Sequence, residues 1–161
     1  MSDRETFKGH ALNAIDGKGR VAIPASMRAT IEANSGADRL LVISKHAKDP
    51  CLVGYDRNWL KLHHARLERQ EEARVAAGGE IDFNVKRRAF GLVEEVPFDS
   101  SGRFILPAFF ARKAQFDGLA FFFGWADYFE IWNPHILIAT PGIDPEMKEV
   151  AEFLLETRGD R

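Results

Sequence analysis

The sequence predicts an α+β fold assembled from two related halves that share one core. Three observations carry that prediction. The string Asp16-Gly17-Lys18-Gly19-Arg20-Val21-Ala22-Ile23-Pro24-Ala25 returns as Asp99-Ser100-Ser101-Gly102-Arg103-Phe104-Ile105-Leu106-Pro107-Ala108. The Asp, Gly, Arg, Pro and Ala keep identical spacing, and apolar residues hold the positions of Val21/Phe104 and Ile23/Leu106. Internal repetition of this kind precedes any count of domains. Each copy is followed by the same order of strand, helix and strand pair, and a long helical pattern separates the copies. Neither half would bury much apolar surface alone, because units of roughly 60 residues are marginal.

Residues 7–15 alternate poorly and lead into the turn Asp16-Gly17-Lys18-Gly19, where Asp bonds its own following backbone and Gly supplies positive φ. In the strand Arg20 to Ile23, Val21 and Ile23 face one side, Arg20 and Ala22 the other. Pro24 ends it and opens a helix to about Ile31, as the first helical residue. Leu40 to Ile43 and Cys51 to Tyr55 read as buried strands. Arg57 to Ala77 reads as a helix with Trp59, Leu60, Leu67 and Val75 along one side, stopped by Gly78-Gly79. A short helix follows from about Asp82 to Phe90, with Val85, Ala89 and Phe90 available for packing. The second copy repeats the order: strand Val93 to Phe98, turn Asp99 to Gly102, strand Arg103 to Leu106, helix Pro107 to about Ala114. Leu119 to Phe123 and Tyr128 to Trp132 make the last strand pair. Asp56 and Asn133 cap the helices after each pair, and Pro134 opens the second. A final helix is capped by Asp144 and opened by Pro145, with Met147, Val150, Phe153 and Leu154 as its apolar stripe.

The 161 residues are 45% hydrophobic and 29% charged, an ordinary globular composition, with a net charge of −2. The total charge gives no support to a polyanionic partner; its distribution does. Lys8, Lys18, Arg20 and Arg28 face Asp16 alone in the first copy, while Asp144, Glu146, Glu149, Glu152, Glu156 and Asp160 make the end acidic. Cys51 is the single cysteine, so no intramolecular disulfide forms, and a reducing cytoplasm fits. Met-Ser-Asp-Arg-Glu at the start lacks the apolar run of a signal peptide, and no stretch approaches the ~20 apolar residues of a membrane helix. The chain reads as soluble and intracellular.

An Arg leaving a glycine turn projects its guanidinium from a stiff base. That fork suits guanine or a phosphate, and Lys18 suits a phosphate as a point charge. Lys8 and Arg28 would widen the patch. Two readings of Arg20 and Arg103 stand side by side: nucleic-acid contact, or pairing with Asp16 and Asp99 to stiffen the turns. Asp16 and Asp99 read as turn formers and Gly19 and Gly102 as backbone requirements. His63-His64 lack the spacing of a metal site, and Cys51 reads as a core thiol. Phe121-Phe122-Phe123 reads as a strand buried on both sides or as a hidden subunit interface. No nucleophile–base pair, metal cluster or cofactor loop points to an enzyme, and no catalytic residue, metal or cofactor is assigned.

The repeated Asp-x-x-Gly-Arg turns followed by an alternating strand and Pro resemble the AbrB-like swapped-hairpin family. With Phe7-Lys8-Gly9, Arg28, Cys51-Leu52 through Trp59, and Glu130-Ile131-Trp132, most of residues 7–136 is similar to the MraZ family of bacterial transcriptional regulators. The resemblance implies two AbrB-like repeats, 7–57 and 90–136, interlocked into one pseudo-symmetric β-barrel-like unit flanked by helices. A helical connector fills 58–89 and a helical tail 137–161. It implies double-stranded DNA as partner, read at short direct repeats before the division and cell-wall gene cluster. It further implies assembly into a homo-oligomeric ring, and a place in the cytoplasm at the nucleoid, with no membrane or small-molecule substrate. It places DNA at the turn-and-strand region containing Arg20; with the charges read above, the candidate DNA-binding residues are Arg20, Lys18, Lys8, Arg28 and, in the second copy, Arg103. An antitoxin-like protein-interaction module is the alternative, with the acidic tail docking a basic partner. Ser100-Ser101 replace Gly17-Lys18, and Ala111 stands where Arg28 stands in the first copy. The first copy is therefore expected to dominate DNA contact, with the second mainly structural.

Overall fold

Two Asp-initiated turns reverse the chain at equivalent points; the strand before each turn joins a six-stranded sheet and the strand after it joins a separate ribbon. The computed structural model describes residues 3–36 and 38–159; Met1, Ser2, Ala37, Asp160 and Arg161 lie outside, including the last acid of the tail and the first two residues of the N-terminal reading. The first half contributes β1 His10–Ala14, β2 Arg20–Ala22, α1 Ala25–Ser35, β3 Leu40–Lys45 and β4 Leu52–Tyr55. The connector is α2 Arg57–Ala76, then α3 Phe83–Lys86 running into a π-type turn, Arg87–Gly91. The second half repeats the order with β5 Val93–Pro97, β6 Arg103–Ile105, α4 Ala108–Lys113, β7 Leu119–Gly124 and β8 Phe129–Trp132. Two helices close the chain, α5 Pro134–Ala139 and α6 Pro145–Arg158.

The strands pair across the halves. One six-stranded sheet runs β1-β7-β8-β4-β3-β5, and β2 and β6 form a separate two-stranded ribbon. Every ladder is antiparallel. Exchanging each strand for its counterpart in the other half leaves this order unchanged when read from the opposite edge. The first strand of each half lies on the third strand of the other: β1 on β7, β5 on β3. The sheet does not close into a barrel. It is open, with β1 and β5 as its edges. The ribbon strands end after three residues, at Ile23-Pro24 and Leu106-Pro107, because proline donates no ladder hydrogen bond.

Local chemistry sets the helix starts. Asp56, Asp82, Asn133 and Asp144 each accept a backbone N–H of the helix they precede, from Trp59, Asn84, His135 and Glu146. Pro24 and Pro107 precede their helices in extended conformation, ψ 140° and 135°, so α1 and α4 begin one residue later than the sequence predicts. The Asp56 carboxylate is fully buried and held by both Nη groups of Arg4, at 2.8 Å each.

Both faces of the sheet are covered. The larger cluster packs Val21, Ile31, Leu41, Phe104, Phe122 and Phe129 together, among others. On the other face Cys51, Phe121, Trp132, Leu137, Met147 and Ala151 meet under α5 and α6. Burial pushes the Cys51 thiol far up, as a core thiol requires. Consecutive strand residues point to opposite faces, so Phe121 and Phe122 enter different clusters. Three sequence-predicted packing positions are instead outward: Val75 on α2, Val85 on α3 and Phe153 on α6. The inward stripe of α6 is Met147, Ala151 and Leu155, with Val150 and Leu154 beside it. No helix among the described residues is long and apolar enough to cross a membrane.

Gly54 sits opposite Phe129 where the halves meet, and a Cβ there would stand 2.7 Å from the Phe129 ring and 3.1 Å from Leu41. Gly54→Ala is expected to lower stability by about 1–3 kcal/mol through overpacking, read by chemical denaturation. Gly17→Ala, facing open space, is the control and is expected to stay within ~0.5 kcal/mol.

Candidate nucleic-acid interface

Asp16 organises the first turn with both carboxylate oxygens. Oδ1 accepts the backbone N–H groups of Lys18 and Arg20, each at 2.9 Å, and Oδ2 accepts Arg20 Nε at 2.7 Å. The second turn repeats the arrangement: Asp99 accepts from Ser101 N, Arg103 N and Arg103 Nε, all at 2.9 Å. Gly19 and Gly102 take φ of 78° and 82°, values that favour glycine. The Arg20 N–H first, and then its guanidinium, hold the Asp16 carboxyl well below the usual range, at about 2. The Arg103 N–H likewise lowers the Asp99 carboxyl from its ordinary value.

The two sequence readings of the arginines are thus compatible in one geometry. Asp16 engages Nε and fixes the plane of the group. Neither Nη of Arg20 or Arg103 makes a hydrogen bond among the described residues, so the forked end stays available. The side chains of Arg20 and Arg103 are 43% and 54% exposed.

The ribbon places both arginines on one face. Arg20 pairs with Ile105, Val21 with Phe104, and Ala22 with Arg103. Val21 and Phe104 are buried, so their neighbours point outward. The two arginine Cα atoms are then about 8 Å apart, from the strand rise and spacing. Ile105 is 60% exposed beside Arg20. Sequence reasoning passed over Ile105, although its place in the alternation puts it on the arginine face. Phe109 is half exposed at the start of α4.

The remaining candidate cations divide. Lys18 is exposed in the first turn. Arg28 does not widen the first turn; it crosses to the second. A Cβ at Gly102 would meet Arg28 Nη1 at 2.5 Å and Cδ at 3.1 Å, whereas Gly19 has open space around it. Gly102 is buried and Gly19 only half-buried, and Ala111 is the counterpart of Arg28. The second turn lacks a lysine of its own but borrows an arginine from the first half. The charge deficit read from Ser100-Ser101 is therefore filled in three dimensions. Lys8 is not brought into the patch. It lies where Phe7 and Gly9 bond Ala126 and Gly124, at the far end of β1, roughly 25 Å along the strand from Asp16.

No family model matches the chain. Curated relatives do. It is 31% identical over 140 residues to a protein of Rhodospirillum rubrum named transcriptional regulator MraZ, spanning 86% of each chain. A protein of the same name from Ruegeria pomeroyi is 32% identical over 136 residues, covering 80% of this chain and 77% of the relative. One from Coxiella burnetii is 31% identical over 127 residues, 79% of each.

The pH response of the first turn has a definite sign. A carboxyl depressed from 3.8 to about 2 contributes stability fully above pH 4 and loses it as pH falls towards 2. In an NMR titration the Asp16 carboxyl carbon is expected to shift with a midpoint near 2. In Arg20→Ala the midpoint rises only part of the way, because the residue 20 N–H, the largest contribution, still donates. A wild-type midpoint near 4 would contradict this geometry.

Proposed function

The chain belongs to the MraZ family of transcriptional regulators, and from that premise we propose that it binds double-stranded DNA in a sequence-specific manner through the outer face of the β2–β6 ribbon. The halves act as two AbrB-like swapped-hairpin repeats. The observation that carries the reading is the pair of Asp-clamped arginines on one outward face, with their Nη forks open.

Each part of the face has a chemical task. Arg20 and Arg103 present forks matched to two acceptors on guanine or to a phosphate. Lys18 and Arg28 neutralise phosphates beside the first and second turns, positioning the ribbon without reading sequence. Ile105 offers apolar surface suited to a thymine methyl next to the base that Arg20 reads. A two-stranded ribbon fits a major groove about 12 Å wide. The contact of one chain is small. Several copies in a ring, reading spaced direct repeats, gain affinity through effective concentration. The target follows from the family resemblance: the promoter of the division and cell-wall gene cluster, reached in the cytoplasm at the nucleoid.

Fluorescence anisotropy on a fragment of that promoter, across a salt series, tests the reading. Arg20→Ala is expected to cost about 1–3 kcal/mol and to relax preference over a scrambled fragment. Arg103→Ala is expected to cost a similar amount, since the borrowed Arg28 removes the reason to rank it lower. Lys18→Ala and Arg28→Ala are each expected to reduce the salt slope by about one, and Lys8→Ala to leave it unchanged. Wild-type affinity in Arg20→Ala and Arg103→Ala would overturn the assignment.

A further inference from the structure

A second surface lies apart from the ribbon. The N-terminal segment, α2 and the β7–β8 turn enclose a cleft of about 360 Å³. Arg4, Arg66 and Arg69 line it together with Trp59 and Leu62. Arg4 is committed to the buried Asp56. Arg66 lies over the Trp59 ring at 5.0 Å and only 3.8 Å from Asp127. Arg69 is exposed and has no ion pair among the described residues. Leu62 is 41% exposed, and Trp125, next to the cleft wall at Ala126, is 53% exposed. Leu62, Arg66 and Arg69 fall at i, i+4 and i+7, one face of α2.

The opposite pattern lies on α6. On α6 the inward stripe is Met147, Ala151 and Leu155. The outward face presents Glu149, Glu152, Phe153 and Glu156, again spanning i to i+7. None of these glutamates has an ion pair among the described residues. Phe153 is 62% exposed in their midst. A large aromatic ringed by unpaired acids therefore faces outward. Elsewhere on the same molecule the cleft offers an apolar rim and two arginines not tied to a buried carboxylate.

We propose that the cleft along α2 receives the outward face of α6 from a second copy of this chain. Phe153 packs on Leu62 at the rim, and the glutamates meet Arg66 and Arg69. Aromatic and arginine anchors of this kind concentrate binding energy at interfaces. The two surfaces differ, so the contact is heterologous. Such contacts propagate head to tail and close into a ring when the rotation allows. Each chain leaves its ribbon outside the contact. The inference deepens the ring reading above and rests on it.

Full-length protein and its variants, checked for folding by thermal unfolding, are compared by analytical ultracentrifugation. The charge reversals Glu152→Arg/Glu156→Arg and Arg66→Glu/Arg69→Glu are each expected to dissociate the assembly. An equimolar mixture of the two restores it, because each reversed surface then finds an opposite partner. Phe153→Ala, at an exposed site, is expected to weaken assembly at least tenfold while keeping the wild-type melting temperature, and it carries the test if the Arg66/Arg69 variant unfolds. An assembled chain indifferent to these substitutions, or variants that dissociate and stay apart when mixed, overturn this assignment and leave the ring standing. A wild-type chain that remains monomeric overturns the ring itself.

Discussion

The ladder between β2 and β6 is the constraint on which the rest of the molecule depends. It is three residues long and joins the two copies of the repeated string to each other. Beyond each end, a turn glycine of one copy accepts from the strand end of the other: Ile23 N–H to Gly102 C=O, and Leu106 N–H to Gly19 C=O, both 2.9 Å. The glycine carbonyl of each turn is thus satisfied by the other copy. With the register set there, Val21 and Phe104 point into the core together, and both arginines point out. A slip of one residue would reverse all four.

From that ladder the larger sheet follows. Each half sends its first strand to the far side, β1 to β7 and β5 to β3, and β4 meets β8 between them. The apolar surface that neither half could bury alone is shared. Gly54 marks how tightly: its missing side chain is the space the Phe129 ring occupies. The edges left open are treated differently. Glu94 and Glu95 lie on β5, and Arg57 pairs with Glu95; charges on an edge strand discourage further pairing.

The site uses the same interlock as an electrostatic device. A net charge of −2 says little about partners when cations are gathered at two turns and acids on α6. By formal charge alone Asp16 and Asp99 cancel the arginines beside them. They take up Nε and leave the forked ends free, which trades a little charge for a fixed direction. Arg28 shows why the halves cannot be assessed separately. It belongs to the first copy and lies over the glycine of the second.

Local chemistry was readable from the chain alone. The Asp-Gly turns, the alternation that buries Val21 and Phe104, and the helix caps at Asp56, Asn133 and Asp144 each depend on residues a few positions apart. So do the strand and helix order and the twofold repetition. What the chain alone did not determine depends on partners far away in sequence. His10-Ala11-Leu12-Asn13-Ala14 barely alternates, and only its ladder to β7, more than a hundred residues on, makes β1 a strand. Phe153 looked like core because helical spacing admits it near the stripe, yet α6 settles on Met147, Ala151 and Leu155. The open sheet, the crossing of Arg28 and the isolation of Lys8 were likewise decided by packing. Sequence specifies the conformations each segment prefers; only the folded chain brings together surfaces whose burial outweighs those preferences.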